Sequence, residues 1–255
     1  MSHAHSTGLV ANADPQEHSK DSESDDDLIL SSSSMAALQE FIREKNEAEA
    51  KFIALKEVAQ KEADAAALLA KEIDIFDFKE DWQLSQFWYA NSTRDALAIE
   101  SIKNTVDGGR IGCISSPSVF VTLKRMNPEH RDLVVFEFDR RFDVYGDGFV
   151  FYDYSEPLAL DEKDGLRPLK GTFDYLLIDP PFLSEECWRK MAQTVRWLAK
   201  PDCKIIVCTG KQMRSLIEEE LQCYATDYMP EHQNGLQNEF RAFINYPSEK
   251  FMRTE

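Results

Sequence analysis

The residues best suited to chemistry are four consecutive ones, Asp179, Pro180, Pro181 and Phe182. They follow an apolar run at 173–178, which is typical of a strand buried on both faces. Proline has no N–H with which to continue strand pairing, so we expect the strand to end here and open into a site. The Asp179 carboxylate and the Pro180 carbonyl offer two acceptors for the hydrogens of one amine, and the Phe182 ring can stack beside it. The four residues therefore predict a site that holds an amino nitrogen.

Asp-Pro-Pro-Phe at the end of a strand resembles the motif of amino-group methyltransferases that use S-adenosylmethionine (AdoMet). Most of the catalysis in such a site is positioning, because the nitrogen lone pair has to face a methyl sulfonium. The alternative is a proline turn after a core strand, with Asp179 as an ordinary turn former. After the motif, Ser184 predicts a helix N-cap, with Glu185 and Glu186 in the first turn. A buried strand followed by a capped helix is half of a parallel βαβ unit, and ligands lie at the carboxyl ends of such strands.

Composition narrows the class of partner. The 255 residues are enough for one α/β domain with extensions, and 43% of them are hydrophobic. The net charge of -17 disfavours nucleic acid as a partner, because nucleic acid binds through Lys and Arg, and favours a basic protein.

The five cysteines are odd in number and none of them forms a C-x-x-C motif, so we expect neither a metal site nor disulfides. There is no run of eighteen apolar residues, so we expect no membrane span.

The chain is expected to have three parts. Residues 1–34 are acidic and serine-rich, and they predict a disordered tail. Residues 35–80 are expected to form a long helical extension, because Ala, Glu and Lys dominate up to about residue 71 without Gly or Pro. That helix is either a docking arm for a partner or a simple packed or protruding helix. Residues 81–255 are expected to form the domain that carries the site, with seven strands of which the last two make an antiparallel hairpin.

Three consecutive residues predict one end of a cofactor site. Ser115 ends the first predicted strand, and Ser116 followed by Pro117 is a strong helix start. The free N–H groups of a first helical turn can hold an anion, here the methionine carboxylate of AdoMet. Many methyltransferases have an acidic residue and a Gly-x-Gly at this position, and this chain departs from that pattern.

Two acids and two aromatic residues predict the rest of that site. Asp139 ends the second predicted strand, where a carboxylate can accept both ribose hydroxyls of an adenosine. The alternative is a loop acid paired with Arg140 or Arg141. Asp153, near the end of the third predicted strand, is expected to meet the adenine amino group. Phe87 and Trp88 precede the first strand and are expected to line the pocket, although packing explains some of the rings in this segment.

Six separated segments together resemble the eukaryotic elongation factor 1A lysine methyltransferase family. They are Trp82 to Tyr89, Ser116 to Val119, Phe136 to Asp139, Phe151 to Tyr154, Asp179 to Cys187 and Asn238 to Arg241. Members of this family were first described as adenine-amino DNA methyltransferases because of the Asp-Pro-Pro-Phe/Tyr motif. The resemblance covers about residues 80 to 246 and leaves out the tail and the long helix.

The resemblance implies a seven-stranded, Rossmann-like α/β fold that uses AdoMet. It also implies methylation of a lysine on translation elongation factor 1A in the cytoplasm. Two other functions remain open from the sequence. An adenine-amino methyltransferase acting on DNA or RNA would share the motif but should show a basic face. A non-catalytic binding module would have kept the fold and lost the cofactor, which the missing Gly-x-Gly would fit.

Overall fold

The computed structural model of the chain describes residues 35–36, 38–47, 73–126, 128, 130–160, 168–236 and 238–254. The predicted acidic tail and the greater part of the predicted long helix lie outside these residues. The described residues belong to two compact units, one up to Lys56 and one from Glu57. In the first unit residues 38–47 are helical, and the side chains of Leu38, Phe41 and Ile42 are exposed.

The second unit is built on a sheet that has seven strands within the described residues. They are β1 (Arg110–Ile114), β2 (Asp132–Glu137), β3 (Phe149–Phe151), β4 (Phe173–Ile178), β5 (Ala199–Gly210), β6 (Tyr224–Ala225) and β7 (Phe240–Ile244). Their order is β3-β2-β1-β4-β5-β7-β6. The first five are parallel, and β7 is antiparallel to both β5 and β6. The predicted seven-stranded Rossmann-like fold with a terminal antiparallel hairpin is confirmed.

Helices cover both faces of this sheet. They are α1 (Asn91–Lys103), α2 (Pro117–Met126), α3 (Glu185–Leu198) and α4 (Arg214–Leu221). Apolar residues of α1 and α2 form one core cluster with one face of the strands, and those of α3 and α4 form a second cluster with the other face. None of the helices in the described residues has the length and hydropathy of a membrane span. The sheet is therefore the middle layer of three, which explains why its strands read as continuous apolar runs.

Local sequence signals account for the central elements. Along β1 the side chain of Cys113 packs in one core cluster and that of Ile114 in the other, as the period of two requires. Gly112 lies where a Cβ atom would come within 2.7 Å of a Leu176 methyl carbon, so a side chain there would force Leu176 to move. The predicted cap of α3 is confirmed, because the Ser184 hydroxyl accepts a hydrogen bond from the Cys187 N–H at 3.2 Å.

Strand ends differ from the predicted ones by about two residues. β2 stops at Glu137, because Asp139 caps the 3-10 helix Arg140–Gly148 by accepting a hydrogen bond from the Arg141 N–H. β3 stops at Phe151 instead of Tyr154. Ile114 of β1 pairs with Phe136 of β2 on one side and with Ile178 of β4 on the other. The residues that follow these three strands therefore meet at one edge of the sheet.

Candidate active site

A cavity of about 490 Å³ opens at the carboxyl ends of the central strands. Ser115 after β1, Glu137 at the end of β2 and Asp179 after β4 all line it. Its volume lies in the range of small-molecule and cofactor sites. Because Ile114 pairs with both Phe136 and Ile178, these three polar residues come together at the edge where open parallel sheets bind ligands.

The four motif residues all line this cavity. The Asp179 N–H donates to the Ile114 carbonyl at 3.1 Å, and the two prolines that follow have no N–H, so strand pairing ends here. The chain then turns outwards and leaves Phe182 43% exposed. The Phe182 ring lies beside that of Tyr154, with centroids 5.7 Å apart. The predicted grouping of a carboxylate, a free carbonyl and a ring is therefore physically possible in this cavity.

The Asp179 carboxyl lies in an unfavourable place for a negative charge. Burial raises its pKa to about 8, the nearby Glu137 charge acts in the same direction, and the Tyr89 hydroxyl opposes the rise. A carboxyl group with such a pKa is largely protonated at pH 7 in the unliganded protein. Strong shifts of this kind are typical of functional sites.

The Ser115-Ser116-Pro117 segment forms the turn between β1 and α2. Ser115 has a φ of 51°, in the left-handed region that favours glycine, and its N–H donates to the Phe136 carbonyl at 2.8 Å. Ser115 and Pro117 line the cavity. Ser116, also predicted to bind the cofactor, is fully buried and does not line the cavity, and its hydroxyl oxygen has no hydrogen-bond partner in the described residues. Ser115 thus takes the backbone shape expected of a glycine turn, although the Gly-x-Gly pattern is missing.

The acid expected at the end of β2 is not brought to the cavity. Asp139 is buried outside the lining, where its carboxylate is paired with Arg141 at 2.6 Å and accepts from the Gln86 side-chain amide at 2.9 Å. Glu137, two residues earlier, lines the cavity instead. Burial raises the pKa of Glu137 to about 7, and the Asp139 charge adds to the rise. The alternative of a loop acid paired with arginine therefore describes Asp139.

The other predicted cofactor residues all lie in the cavity wall: Asp153, Phe87 and Trp88. Trp88 is 4% exposed, and its indole N–H donates to the Phe78 carbonyl at 2.9 Å. Packing therefore explains the presence of an aromatic residue at position 88, whereas the neighbouring Phe87 is only partly buried. The segment ahead of α1 thus forms a wall of the cavity, as predicted from its aromatic residues.

Some lining residues could not be found by inspecting the sequence. The His232 ring packs against Phe240, with centroids 4.8 Å apart, and against the buried Tyr89, at 4.6 Å. Burial lowers the pKa of His232 to about 4, so its ring is neutral at pH 7. Phe240 lies in the segment Asn238 to Arg241 that carried the resemblance, whereas no sequence signal marks His232. His232 lies in the cavity wall, next to Tyr89, although the two residues are far apart in the sequence.

The described cysteines, Cys113, Cys187, Cys203, Cys208 and Cys223, are all buried and unpaired. Among the described residues there is no group of three His, Cys, Asp or Glu side chains placed to hold a metal ion. The polar side chains that line the cavity are carboxyls, hydroxyls, amides and the His232 ring in an aromatic setting, which suits an organic ligand.

Comparisons with known proteins give a consistent family. The model of the family described as "Probable N6-adenine methyltransferase" matches residues 80–248. EEF1A lysine methyltransferase 1 from Gallus gallus is 40% identical over 228 residues, covering 89% of this chain and 98% of that protein. The mouse protein of the same name is 41% identical over 229 residues, covering 89% and 97%. Protein-lysine N-methyltransferase EFM5 from Saccharomyces cerevisiae is 36% identical over 236 residues, covering 85% and 91%.

Proposed function

The chain belongs to the family of protein-lysine N-methyltransferases that includes EEF1A lysine methyltransferase 1, and from this membership we propose that it transfers a methyl group from AdoMet to a lysine of translation elongation factor 1A. The observation that carries the proposal is that the Asp179–Phe182 motif lines the same cavity as the Ser115–Pro117 turn and Glu137. One cavity then has room for both an amine and a cofactor. The net charge of -17 suits a basic protein substrate in the cytoplasm and disfavours nucleic acid.

The residues around the cavity fit AdoMet. The N–H groups at the start of α2, where Pro117 and Ser118 line the cavity, would hold its carboxylate. Glu137 would accept hydrogen bonds from the ribose hydroxyls, in the role first expected of Asp139. Phe87, the exposed ring of Phe138 and Asp153 would contact the adenine. When bound, the cofactor supplies a methyl group on a positively charged sulfur.

The motif residues would position the substrate amine. The Asp179 carboxylate and the Pro180 carbonyl would accept its two hydrogens, which leaves the lone pair directed into the cavity. The Phe182 ring would pack against the lysine side chain and tolerate both the ammonium and its methylated forms. Pro180 and Pro181 would keep this carbonyl and ring in place, because their φ angles are fixed.

The high pKa of Asp179 would help to remove the proton from the lysine. A free lysine has a pKa of about 10.4, so presenting the neutral amine at pH 7 costs roughly 4.6 kcal/mol. An ordinary aspartate, with a pKa of about 3.9, would take that proton at a cost of roughly 9 kcal/mol. For Asp179, with a pKa of about 8, the difference is 2.4 units or roughly 3 kcal/mol. With this pKa about a tenth of Asp179 is ionised at pH 7, and this ionised form is the base that can accept the proton before transfer.

The test is transfer of labelled methyl from AdoMet with three substrates: purified elongation factor 1A, duplex DNA and single-stranded RNA. We expect label on elongation factor 1A alone, followed by identification of the modified lysine by peptide mass spectrometry. Label on DNA or RNA and none on protein would replace the proposal with the adenine-amino activity. Failure of AdoMet to bind, measured by calorimetry, would favour a non-catalytic module.

Substitutions at the two ends of β4 give a matched comparison. Asp179→Asn should abolish transfer, because the amide cannot accept the proton. Asp174→Asn is the control, because Asp174 lies at the opposite end of β4, where its carboxylate binds Lys200 at 2.6 Å and the Arg110 N–H at 2.8 Å. Asp174→Asn should keep the activity of the native protein. Equal loss in both variants would contradict a specific role for Asp179.

A further inference from the structure

One wall of the cavity is a segment that precedes the sheet in sequence. Residues 83–88 all line the cavity, and the first two of them belong to the 3-10 helix Trp82–Leu84. We call residues 82–88 the wall segment. The wall segment and the residues Glu137 and Phe138 at the end of β2 both line the cavity, so its shape depends on how these two parts are held relative to each other. The contacts that join these two parts therefore decide whether the cavity keeps its shape.

Arg141 makes several of the polar contacts that join the loop after β2 to the wall segment and the residues just before it. Its guanidinium binds the Asp139 carboxylate, with Nη2 at 2.6 Å and Nε at 2.8 Å from Oδ2. The same group donates to the Gln86 side-chain carbonyl at 3.0 Å and to the Lys79 main-chain carbonyl at 3.2 Å. Arg141 thus reaches across more than fifty residues of sequence, from the loop after β2 to the wall segment.

Gln86 completes this arrangement from the other side. Its side chain is buried, and its amide nitrogen donates to Asp139 Oδ2 at 2.9 Å while its oxygen accepts from Arg141. The oxygen also accepts from the Asp81 N–H at 3.2 Å. The Asp139 N–H in turn donates to Glu137 Oε1 at 3.1 Å. A continuous chain of hydrogen bonds therefore leads from the wall segment to the carboxyl group that lines the cavity.

We propose that Gln86, Asp139 and Arg141 form a latch that positions the wall segment and Glu137 for binding the adenosine part of the cofactor. The three are positioning residues. Gln86 belongs to the cavity wall, and the other two act through it and through Glu137. The proposal rests on the proposed use of AdoMet, and it gives Asp139 a role other than direct contact with ribose.

The charges of the latch act on Glu137 in opposite directions. The Asp139 carboxylate lies close enough to Glu137 to disfavour a second negative charge there. Burial acts to raise the pKa of Asp139, but the hydrogen bonds from Arg141 and Gln86 outweigh it and lower that pKa. Arg141 also interacts directly with the Glu137 charge. Removing Arg141 would leave two carboxylates side by side without a cation between them.

Apolar packing should keep the fold intact when the latch is broken. The rings of Phe78 and Phe142 stack with centroids 4.4 Å apart, and Trp88 meets Phe142 edge-on at 6.3 Å. These contacts join the same two parts of the chain and do not involve the latch. Variants of the latch are therefore expected to fold and to change the cavity.

The experiment uses Gln86→Leu, Arg141→Leu and the double variant in the full chain. Arg110→Leu is the matched control, because Arg110 makes a similar partly buried pair with Asp132 at 2.7 Å, at the far end of the sheet. Calorimetry measures the Kd of AdoMet, and initial rates give kcat and the KM of elongation factor 1A. Hydrogen exchange without cofactor reports on the amides of the wall segment, which a general loss of stability would not affect selectively.

We expect each single latch variant to weaken AdoMet binding about tenfold, and the double variant to add little, because the residues act as one unit. The kcat and the substrate KM should stay within about twofold, and only the wall segment should exchange faster. Unchanged Kd and exchange in the latch variants, or the same changes in Arg110→Leu, would overturn the latch. If the native protein binds no AdoMet, the proposed function fails, and the exchange data still decide whether the latch holds the wall segment.

Discussion

The Asp179→Asn substitution should stabilise the unliganded protein although it removes the activity. The pKa of Asp179 is about 8 in the folded protein and about 3.9 in an unfolded chain. Between these two values the folded state holds a proton that the unfolded state has lost, so the carboxyl lowers stability as the pH rises. The slope is about 1.4 kcal/mol per pH unit. Above pH 8 the carboxyl is ionised in both states, and its contribution levels off.

An asparagine at position 179 does not titrate, so the stability of this variant lacks that dependence on pH. The measurement is the Tm of both proteins between pH 5 and 9, without cofactor. The Tm of the native protein should fall relative to that of Asp179→Asn by about 3 to 5 °C per pH unit up to pH 8, since a protein of this size shifts by about 2 to 4 °C per kcal/mol. Comparing the two proteins cancels the titration of the other acids. If the Tm of the two proteins varied with pH in parallel, the pKa of Asp179 would have its ordinary value. Asp179 could then not serve as the base that deprotonates the lysine.

Three further predictions concern the cavity and the sheet. Glu137 has a pKa of about 7, so AdoMet binding should weaken about tenfold from pH 8 to pH 6, and calorimetry of Glu137→Gln should show weak binding without that pH dependence. Phe182→Leu should raise the KM of elongation factor 1A several-fold and leave the Kd of AdoMet unchanged; a change in Kd alone would contradict its place on the substrate side. Gly112→Ala should lower the free energy of unfolding by about 1 to 3 kcal/mol in chemical denaturation, because the new methyl group would meet Leu176 at 2.7 Å.

Much of the candidate site was predictable from the sequence because its signals are local. The apolar run 173–178 marked a buried strand, and two prolines marked its end at Asp179. The hydroxyl of Ser184 and the acids after it marked the following helix. Each signal depends on the backbone needs of a few neighbouring residues, namely the period of two in a strand, a missing N–H and an unsatisfied helix end.

The tertiary structure alone decided which acid reaches the cavity. Glu137 and Asp139 both follow an apolar run, and the sequence favoured the later one. Residues two apart lie on the same face of a strand, so alternation does not distinguish these acids, and the outcome depends on where β2 ends. Asp139 became the cap of the next turn and the partner of Arg141, which left Glu137 in the cavity wall.

The same holds for contacts between distant parts of the chain. Gln86 meets Arg141, and Tyr89 meets His232, across long stretches of sequence. Neither contact can be detected along the sequence, since the two side chains of each pair meet only after the sheet has brought their backbones together. The sequence by itself thus determined the motif, the fold class and the family, because these depend on local order along the chain. Which acid lines the cavity, and how Gln86, Asp139 and Arg141 meet beside it, depended on where the strand ends and on packing between segments, which only the folded chain defines.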